Sequence, residues 1–494
     1  MIAPDQGSSS RRLLRGSLWM IGARWAMRLV GLVSTMILAR LLAPEDFGLV
    51  AMVMIAYGLF ETIAYAGVDL ALMRAETESR EHFDTAWTIQ LLQGLFVSLG
   101  VVIAAPLVAR YFGEPRLDAV MLVVAAKAVV DGMQNIGVVW FRKELDFARE
   151  FRFNLYAKLG SFVIVIAAAL WWRNYWALVV GSLAASFVTV VLSYTMHPYR
   201  PRLSLAKARD LWGFSQWLLL SRIGSYLNRK CDTFIVGGAV GTSSMGTYHV
   251  ATELATLPSN ELVMPIRRAL FPNLARIADD REAFRRAAAD SFSAVAVICL
   301  GVSVILWALA PQFVRVLLGS QWDAAVPVVA AMAVYGAASS LILVLEVPLW
   351  VAGRTSLSAA QAWCELALLA PLTVWAVQVG GVEGAATARA ALSVAMVPLM
   401  MAFAVRAGNV GWGALLSAVW RPVAAAAGVA AAVLALPAAW AGPPLFELVT
   451  KGAVLGLVFI GIVMLLWALS GRAPGFEAAV LDLLGSKLRR QAPR

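Results

Sequence analysis

Residues 42–48 read LAPEDFG and separate two long apolar stretches, and residues 240–246 read VGTSSMG in the same position between a second such pair. The two segments are 198 residues apart. Further along, VVAAKA at 123–128 is matched by VVAAMA at 328–333, an offset of 205. Because the matches follow one another in order, and their offsets differ only by the length of a small loop insertion, the sequence predicts two copies of one unit.

The copies also share a tryptophan and an arginine. Trp19 and Arg24 recur, again 198 residues later, as Trp217 and Arg222. Both arginines lie well inside apolar stretches, where a positive charge costs about 3 kcal/mol on insertion scales. A charge kept at that position in both copies predicts a functional partner. The sequence therefore indicates a two-lobed transporter with a cationic site between the lobes.

The composition is that of a membrane protein, since 61% of the 494 residues are hydrophobic and only 14% are charged. A bilayer core needs about 20 apolar residues per helix. Fourteen stretches qualify, near 16–40, 47–73, 85–109, 118–140, 153–172, 175–196, 211–240, 245–266, 292–318, 324–351, 356–379, 382–405, 415–438 and 446–469. The predicted fold class is an all-α integral membrane protein of about 14 transmembrane helices, with a central cavity between two parallel six-helix lobes and two extra C-terminal helices.

The net charge of +11 is unevenly placed along these stretches. When the loops are assigned to alternate sides, 27 basic residues fall on the side of the N-terminus and 6 on the other. This positive-inside bias predicts a multi-pass membrane protein with both termini cytoplasmic. The basic excess is therefore explained by topology, and we expect no nucleic-acid partner.

Four domains are predicted. Six helices per copy is an even number, so both copies enter the membrane from the same side and form a parallel repeat. The predicted domains are an N-lobe at 1–205, a C-lobe at 206–408, an extra helix pair at 409–472 and a basic amphipathic cytoplasmic tail at 473–494. A solvated tail without helical structure is the alternative for the last segment.

Arginines inside the spans are the strongest candidates for ligand contacts. Arg24 and Arg28 are four residues apart and share a helix face, and Arg222 and Arg229 occur in the seventh span. A guanidinium forms paired hydrogen bonds to phosphate or carboxylate, so these positions favour an anionic ligand. Arg229 has a second interpretation, because near the end of a long span it could reach the interface or pair locally.

Acidic and aromatic residues form a second set of candidates. Tyr57, Glu61, Tyr65 and Asp69 make a polar stripe along the second span, and Glu253 and Glu261 stand on either side of Pro258, which can kink a helix. Two alternatives remain open: Glu61 or Asp69 could neutralise Arg24 or Arg28, and Lys127 with Asp131 could be an internal ion pair. No cofactor is expected, since the three cysteines all lie in predicted spans and the three histidines are scattered. No phosphate-binding loop or nucleophile elbow occurs either.

The stretch ILARLLAPEDFG at 37–48 and the basic loop WFRKELDF at 140–147 resemble the Wzx-type polysaccharide flippases. These belong to the multidrug, oligosaccharidyl-lipid and polysaccharide exporter superfamily, and the likeness covers roughly residues 12–405. The second copy departs from the signature at Thr242, where the first has Pro44.

The resemblance implies a non-enzymatic flippase that moves an undecaprenyl-diphosphate-linked oligosaccharide from the cytoplasmic to the periplasmic leaflet, by alternating access, for lipopolysaccharide or exopolysaccharide assembly. The expected partners are this lipid-linked oligosaccharide and membrane lipids, with polysaccharide polymerase and chain-length proteins as further candidates. Transport would be coupled to an H⁺ or Na⁺ gradient or to the membrane potential. The four arginines would bind the diphosphate, while the stripe and the two glutamates contact sugar or carry protons.

Three alternatives remain at this point. A cation-coupled multidrug exporter of the same superfamily would favour acidic or apolar cavities. A membrane enzyme of polysaccharide assembly, such as a polymerase or ligase, would act without transport. A peptidoglycan-precursor flippase would differ from the leading hypothesis only in its substrate.

Overall fold

A computed structural model of the protein describes residues 26–65, 72, 79–144, 146–208, 216–408, 410–435, 442–471 and 477–478. Across these residues the chain forms helices joined by short turns, and it contains no strand. The predicted all-α membrane class is therefore confirmed. Trp19, Arg24, Asp69 and most of the predicted tail lie outside the described residues.

Seven helices lie in the described residues of the first half of the chain. They are α1 (26–41), α2 (Pro44–Ala64), α3 (Arg80–Phe112), α4 (Arg116–Gly132), the short α5 (Val139–Lys143), α6 (Phe147–Trp172) and α7 (Trp176–Met196). A 3₁₀ turn, Ile136–Val138, precedes α5. Helices α3 and α4 pack most closely at Gly94, where a Cβ atom would lie 3.2 Å from the Cα of Gly132. Small residues at such a crossing let two membrane helices approach backbone to backbone.

The LAPEDFG segment ends α1 and begins α2. Pro44 occupies the first turn of α2, where its missing N–H costs nothing. The Asp46 carboxylate accepts a hydrogen bond from the Ala43 N–H at 2.9 Å and another from the Tyr175 N–H at 2.8 Å. The first of these bonds caps the helix, and the second holds the start of α7 against it. The LAPEDFG segment thus starts α2 and, through Asp46, also holds α2 against the start of α7.

The second half contains two long helices with internal breaks. Its helices are α8 (Gln216–Arg276), α9 (Arg281–Ala308), the short α10 (Ala310–Leu317), α11 (Val326–Val351), α12 (Thr355–Ala407), α13 (Trp412–Ala435) and α14 (Pro444–Leu469), with a 3₁₀ turn at Ser320–Ala325. Helix α8 is broken at Gly241, with φ 80°, and α12 at Gly380 and Gly381, with φ 57° at Gly381. Glycine adopts these positive φ values without steric cost. Each break falls between two spans that the sequence predicts.

The chain divides into two compact units, which we call unit 1 and unit 2. Unit 1 comprises Met1–Tyr226 and Gly241–Gly246, and unit 2 comprises Leu227–Val240 and Thr247–Arg494. In unit 2, α9, α11 and α12 surround a large apolar core that includes Phe292, Leu345 and Met400. The extra helices α13 and α14 pack against α9, where Phe459 lies against Gly301.

Unit 1 contains a reciprocal contact between the two repeated segments. A Cβ atom at Gly48 would overlap the Thr242 carbonyl and lie 2.8 Å from the Gly246 nitrogen. A Cβ atom at Gly246 would overlap the Pro44 carbonyl and lie 2.8 Å from the Gly48 nitrogen. Pro44 and Thr242, like Gly48 and Gly246, are equivalent positions at the offset of 198. This exchange of equivalent contacts supports two copies of one unit.

Fewer than fourteen helices of the described residues have the length and composition of a membrane span. Nine helices in the described ranges are long and apolar enough to cross a membrane, with broken α12 counted once. The count of fourteen therefore stays a prediction, as do the bounds of the four domains.

Candidate functional site

A polar cavity in unit 1 brings part of the predicted stripe together with residues of α3 and α4. The cavity has a volume of about 160 Å³ and is half open. Its polar lining consists of Tyr57, Glu61 and Tyr65 from α2, Gln90 and Gln93 from α3, and Asp131 from α4. The two glutamines are absent from the predicted site, because a neutral amide in an apolar helix gives no charge signal in the sequence.

Asp131, on the wall of this cavity, forms an ion pair with Lys127. Lys127 Nζ lies 2.5 Å from Asp131 Oδ2 and 5.0 Å from the centre of the Tyr57 ring. The Tyr57 hydroxyl donates a hydrogen bond to the same carboxylate at 3.3 Å. The alternative interpretation of Lys127 and Asp131 as an internal pair is therefore the one that the structure supports.

The two glutamines differ in how their side chains are held. Gln90 Nε2 lies within hydrogen-bond distance of three carbonyls of the α4 C-terminus, those of Asp131 at 3.4 Å, Gly132 at 3.3 Å and Gln134 at 3.1 Å. Gln93 Nε2 is shielded from solvent and finds no acceptor among the described residues. Gln90 thus fixes the wall, whereas Gln93 brings an unsatisfied donor to the cavity lining.

Arg222 lies over the end of the α2 stripe. Its guanidinium carbon is 3.8 Å from the centre of the Tyr65 ring, a close cation–π contact. One turn further along α8, the Tyr226 hydroxyl donates a hydrogen bond to the Ile55 carbonyl at 2.6 Å, and its ring packs against Gly58. Two predicted site residues from distant parts of the chain, Tyr65 and Arg222, are therefore brought into contact. In such a stack the flat face of the guanidinium contacts the aromatic ring. Its N–H donors point outward in the guanidinium plane, where an oxyanion can accept hydrogen bonds from them.

The other predicted residues within the described ranges do not line this cavity. Arg28 lies half-buried on α1. Arg229 and Glu253 are exposed in unit 2, and the Glu253 carboxylate lies 3.9 Å from His249 Nε2. Glu261 is half-buried in the same unit. Helix α8 continues through Pro258, and its non-helical residue is Gly241.

Unit 2 contains a buried charge cluster that the sequence does not predict. Arg389 is 2% exposed, and its guanidinium donates to the Asn228 carbonyl at 3.0 Å and the Tyr335 hydroxyl at 2.9 Å. The carboxylates of Asp232 and Glu365 each lie 3.9 Å from it. No local sequence pattern predicts this cluster, because it forms only where residues of α8, α11 and α12 pack together.

The carboxylates of this cluster are also held by neutral donors. The Tyr248 hydroxyl donates to Asp232 at 2.7 Å, and Gln361 Nε2 donates to Glu365 at 2.8 Å. A second ion pair joins Arg267 and Glu346 at 2.9 Å, with Arg267 over the Trp350 ring at 4.3 Å. In the described part of the chain, no group of three or more histidine, cysteine or acidic residues is arranged to hold a metal.

Long apolar helices in two compact units, with an arginine and a polar cavity built into them, define a multi-pass membrane transporter. The chain belongs to the polysaccharide biosynthesis protein family, whose sequence model matches residues 37–327. The resemblance seen at residues 37–48 and 140–147 is thereby confirmed.

Named relatives come from several bacteria. The lipopolysaccharide biosynthesis protein WzxC of Escherichia coli K12 is 26% identical over 67% of this chain and 68% of its own length. The succinoglycan biosynthesis transport protein ExoT of Rhizobium meliloti 1021 is 25% identical over 61% of each chain. The teichuronic acid biosynthesis protein TuaB of Bacillus subtilis 168 is 20% identical over 67% of this chain and 69% of its own.

Two solved structures share the fold. The lipid II flippase MurJ, in an inward closed conformation, superposes with a TM-score of 0.72 and 13% identity, covering 91% of this chain and 99% of that one. An inward-facing multidrug resistance transporter of the MATE family superposes with a TM-score of 0.61 and 14% identity, covering 76% and 93%. Identities this low show the fold alone, and they confirm the predicted two-lobed transporter fold.

Proposed function

We propose that the protein is a flippase that carries a lipid-linked oligosaccharide from the cytoplasmic to the periplasmic leaflet of the bacterial inner membrane. The observation that carries the proposal is membership of the polysaccharide biosynthesis family in a chain whose apolar helices hold Arg222 beside a polar cavity. The names of the relatives favour transport over polymerisation or ligation, since one is a transport protein and another a putative O-antigen transporter.

The lipid carrier in this proposal is undecaprenyl diphosphate, and Arg222 contacts its phosphate groups. Guanidinium groups bind phosphate oxygens in pairs, and stacking on Tyr65 fixes the plane in which Arg222 offers its donors. Arg24 and Arg28 are proposed to assist from α1 and the segment before it. With the cell interior negative, each negative charge that leaves gains about 2.3 kcal/mol per 100 mV. The membrane potential, or a gradient of H⁺ or Na⁺, would therefore drive export.

The test is transfer by the purified protein in liposomes. The lipid-linked oligosaccharide is extracted from a host strain lacking the transporter, and its appearance in the opposite leaflet is followed with a membrane-impermeant lectin. We expect transfer that depends on the protein and falls about ten- to a hundredfold in Arg222→Ala, because each lost hydrogen bond to a charged group is worth about 1.5–3 kcal/mol.

In cells, alanine at both Arg24 and Arg222 should abolish surface polysaccharide while membrane abundance stays normal. Arg276→Ala is the matched control, since Arg276 is exposed at the far end of α8. Unchanged polysaccharide in the double variant would remove the role given to the arginines. Drug resistance on expression, without any polysaccharide phenotype, would instead favour a multidrug exporter.

A further inference from the structure

The cavity of unit 1 has two polar lining groups, the Gln93 amide and the Glu61 carboxylate, that form no hydrogen bond with its ion pair or with Arg222. We infer that it is a subsite for one sugar ring of the transported oligosaccharide, with Gln93 and Glu61 as its hydrogen-bonding groups and Tyr57 and Tyr65 as its aromatic walls. This inference rests on the proposed flippase function and adds to it the residues that contact the glycan.

The size of the cavity fits a single six-membered ring. Its volume is about 160 Å³. An apolar protein cavity of about 150 Å³ takes up one benzene molecule, whereas pockets for drug-sized ligands span roughly 300–1,000 Å³. The cavity is therefore too small to enclose an oligosaccharide or a large drug. A sugar ring with its hydroxyls is bulkier than benzene, so one ring would fill the cavity and extend through its open side. Its half-open form leaves a route for the rest of the chain to continue outward.

The polar groups that remain unused match a hydroxyl-rich ligand. A sugar hydroxyl both donates and accepts hydrogen bonds. Gln93 Nε2 is a shielded donor with no acceptor among the described residues, and Glu61 is an exposed carboxylate on the same lining. One hydroxyl can accept from the amide while a neighbouring hydroxyl donates to the carboxylate. A buried donor without an acceptor is unfavourable, so a ligand that supplies one gains affinity.

The wall behind these groups is fixed before any ligand arrives. Gln90 is held by carbonyls at the end of α4, and Lys127 and Asp131 neutralise each other. The close packing of α3 on α4 at Gly94 and Gly132 holds Gln93 opposite α2. Preorganised groups lose less entropy when they bind, which favours selective recognition.

Charge argues against a simple anion site here. The ion pair is neutral overall and Glu61 is acidic, so a phosphate would meet repulsion inside the cavity. The diphosphate is better placed at Arg222, at the end of the same stripe. The cavity thus suits the sugar ring of one substrate molecule, and Arg222 suits the phosphates to which that sugar is attached.

The experiment compares two lipids on the full-length protein in nanodiscs. One is undecaprenyl diphosphate without sugar, and the other is the undecaprenyl-diphosphate-linked oligosaccharide extracted from the host. We expect Gln93→Leu to weaken binding of the glycosylated lipid about tenfold, in line with one hydrogen bond, and to leave binding of the bare lipid unchanged. Gln378→Leu is the matched control, because Gln378 is exposed on α12.

The outcomes separate the two proposals. If the wild-type protein binds neither lipid, the flippase function itself is overturned. If it binds both and Gln93→Leu weakens both equally or neither, the sugar subsite is wrong while the flippase function stands. Should Gln93→Leu fail to fold, Gln93→Met and Glu61→Gln repeat the comparison. Binding of tetraphenylphosphonium that Glu61→Gln abolishes, with no effect on the glycolipid, would make the cavity a cation site and overturn the inference.

Discussion

Two groups of polar side chains lie within apolar helices of this protein, and they are used in opposite ways. In unit 2, Arg389 is 2% exposed, and it lies among two carboxylates and two hydrogen-bond acceptors. In unit 1, Gln93 has no acceptor among the described residues and Glu61 is exposed on a cavity. An ionisable residue in a membrane helix is therefore not by itself a binding site. The protein already surrounds Arg389 with two carboxylates and two acceptors, although its Nε makes no hydrogen bond, whereas it supplies no acceptor for Gln93 Nε2 among the described residues.

The physical consequence differs accordingly. Removing one member of a closed, buried cluster leaves an uncompensated charge, so the free energy of unfolding should fall. Removing a group that faces a cavity leaves the packing almost unchanged, so ligand binding should fall instead. Substitutions in the two regions should consequently separate loss of stability from loss of transport.

The largest expected effect is on Arg389. Arg389→Met keeps much of the side-chain volume but leaves Asp232 and Glu365 without a cation, which should cost about 3–5 kcal/mol of stability. The measurement is thermal unfolding of the purified protein in detergent, together with its abundance in membranes. Arg229→Met is the control, since Arg229 is exposed in the same unit and should change stability by less than about 0.5 kcal/mol.

If Arg389→Met is as stable as the wild type and yet inactive in transport, the contrast between the two regions disappears. The cluster would then be part of the transport machinery, and Asp232 and Glu365 would have to be counted among the functional residues.

A smaller effect is expected from matched tyrosine substitutions. Tyr248 is fully buried and donates to Asp232 at 2.7 Å, whereas Tyr57 donates to the partly exposed Asp131 at 3.3 Å. Tyr248→Phe should cost about 1.5–3 kcal/mol, the usual value of a hydrogen bond to a charged group. Tyr57→Phe should cost less than about 1 kcal/mol, because Lys127 still neutralises its partner. Chemical unfolding of both variants checks the order, and equal losses would show that the cavity wall is as closed as the cluster.

The sequence predicts the fold better than it predicts these partners. Apolar stretches of membrane length and the repeated segments are visible in the sequence itself, so the fold class and the two copies can be predicted from it directly. The stripe from Tyr57 to Tyr65 follows from helical spacing in the same way. The approach of Arg389 to Asn228, 161 residues away, depends on how α8 and α12 pack, and no local pattern encodes it. Gln93 is missed because its neutral amide becomes informative only once α4 is packed beside α3.

The smallest expected effect on stability is that of His197, which lies outside the spans directly after the last residue of α7. Its ring stacks on Trp140 with a centroid distance of 5.6 Å, and its Nδ1 accepts a hydrogen bond from the Tyr199 N–H at 3.2 Å. Burial lowers the pKa of His197 below its usual value, Arg149 and Arg200 act in the same direction, and Glu144 opposes them. The folded protein therefore holds the neutral ring, whose Nδ1 can accept.

The sign of the pH dependence follows from that direction. The unfolded chain, in which a histidine has a pKa of about 6.5, takes up the proton first as the pH falls. The contribution of His197 to stability is therefore complete above about pH 6.5 and is lost as the pH drops through the lower pKa of the folded state. Because the residue is only half-buried, the loss should be slight.

Unfolding of the wild type and of His197→Gln between pH 7.5 and about pH 5.0 measures this loss. A variant whose stability still falls as steeply as that of the wild type would place the titrating group elsewhere. A steep fall confined to the wild type would show that this loop is as closed as the Arg389 cluster.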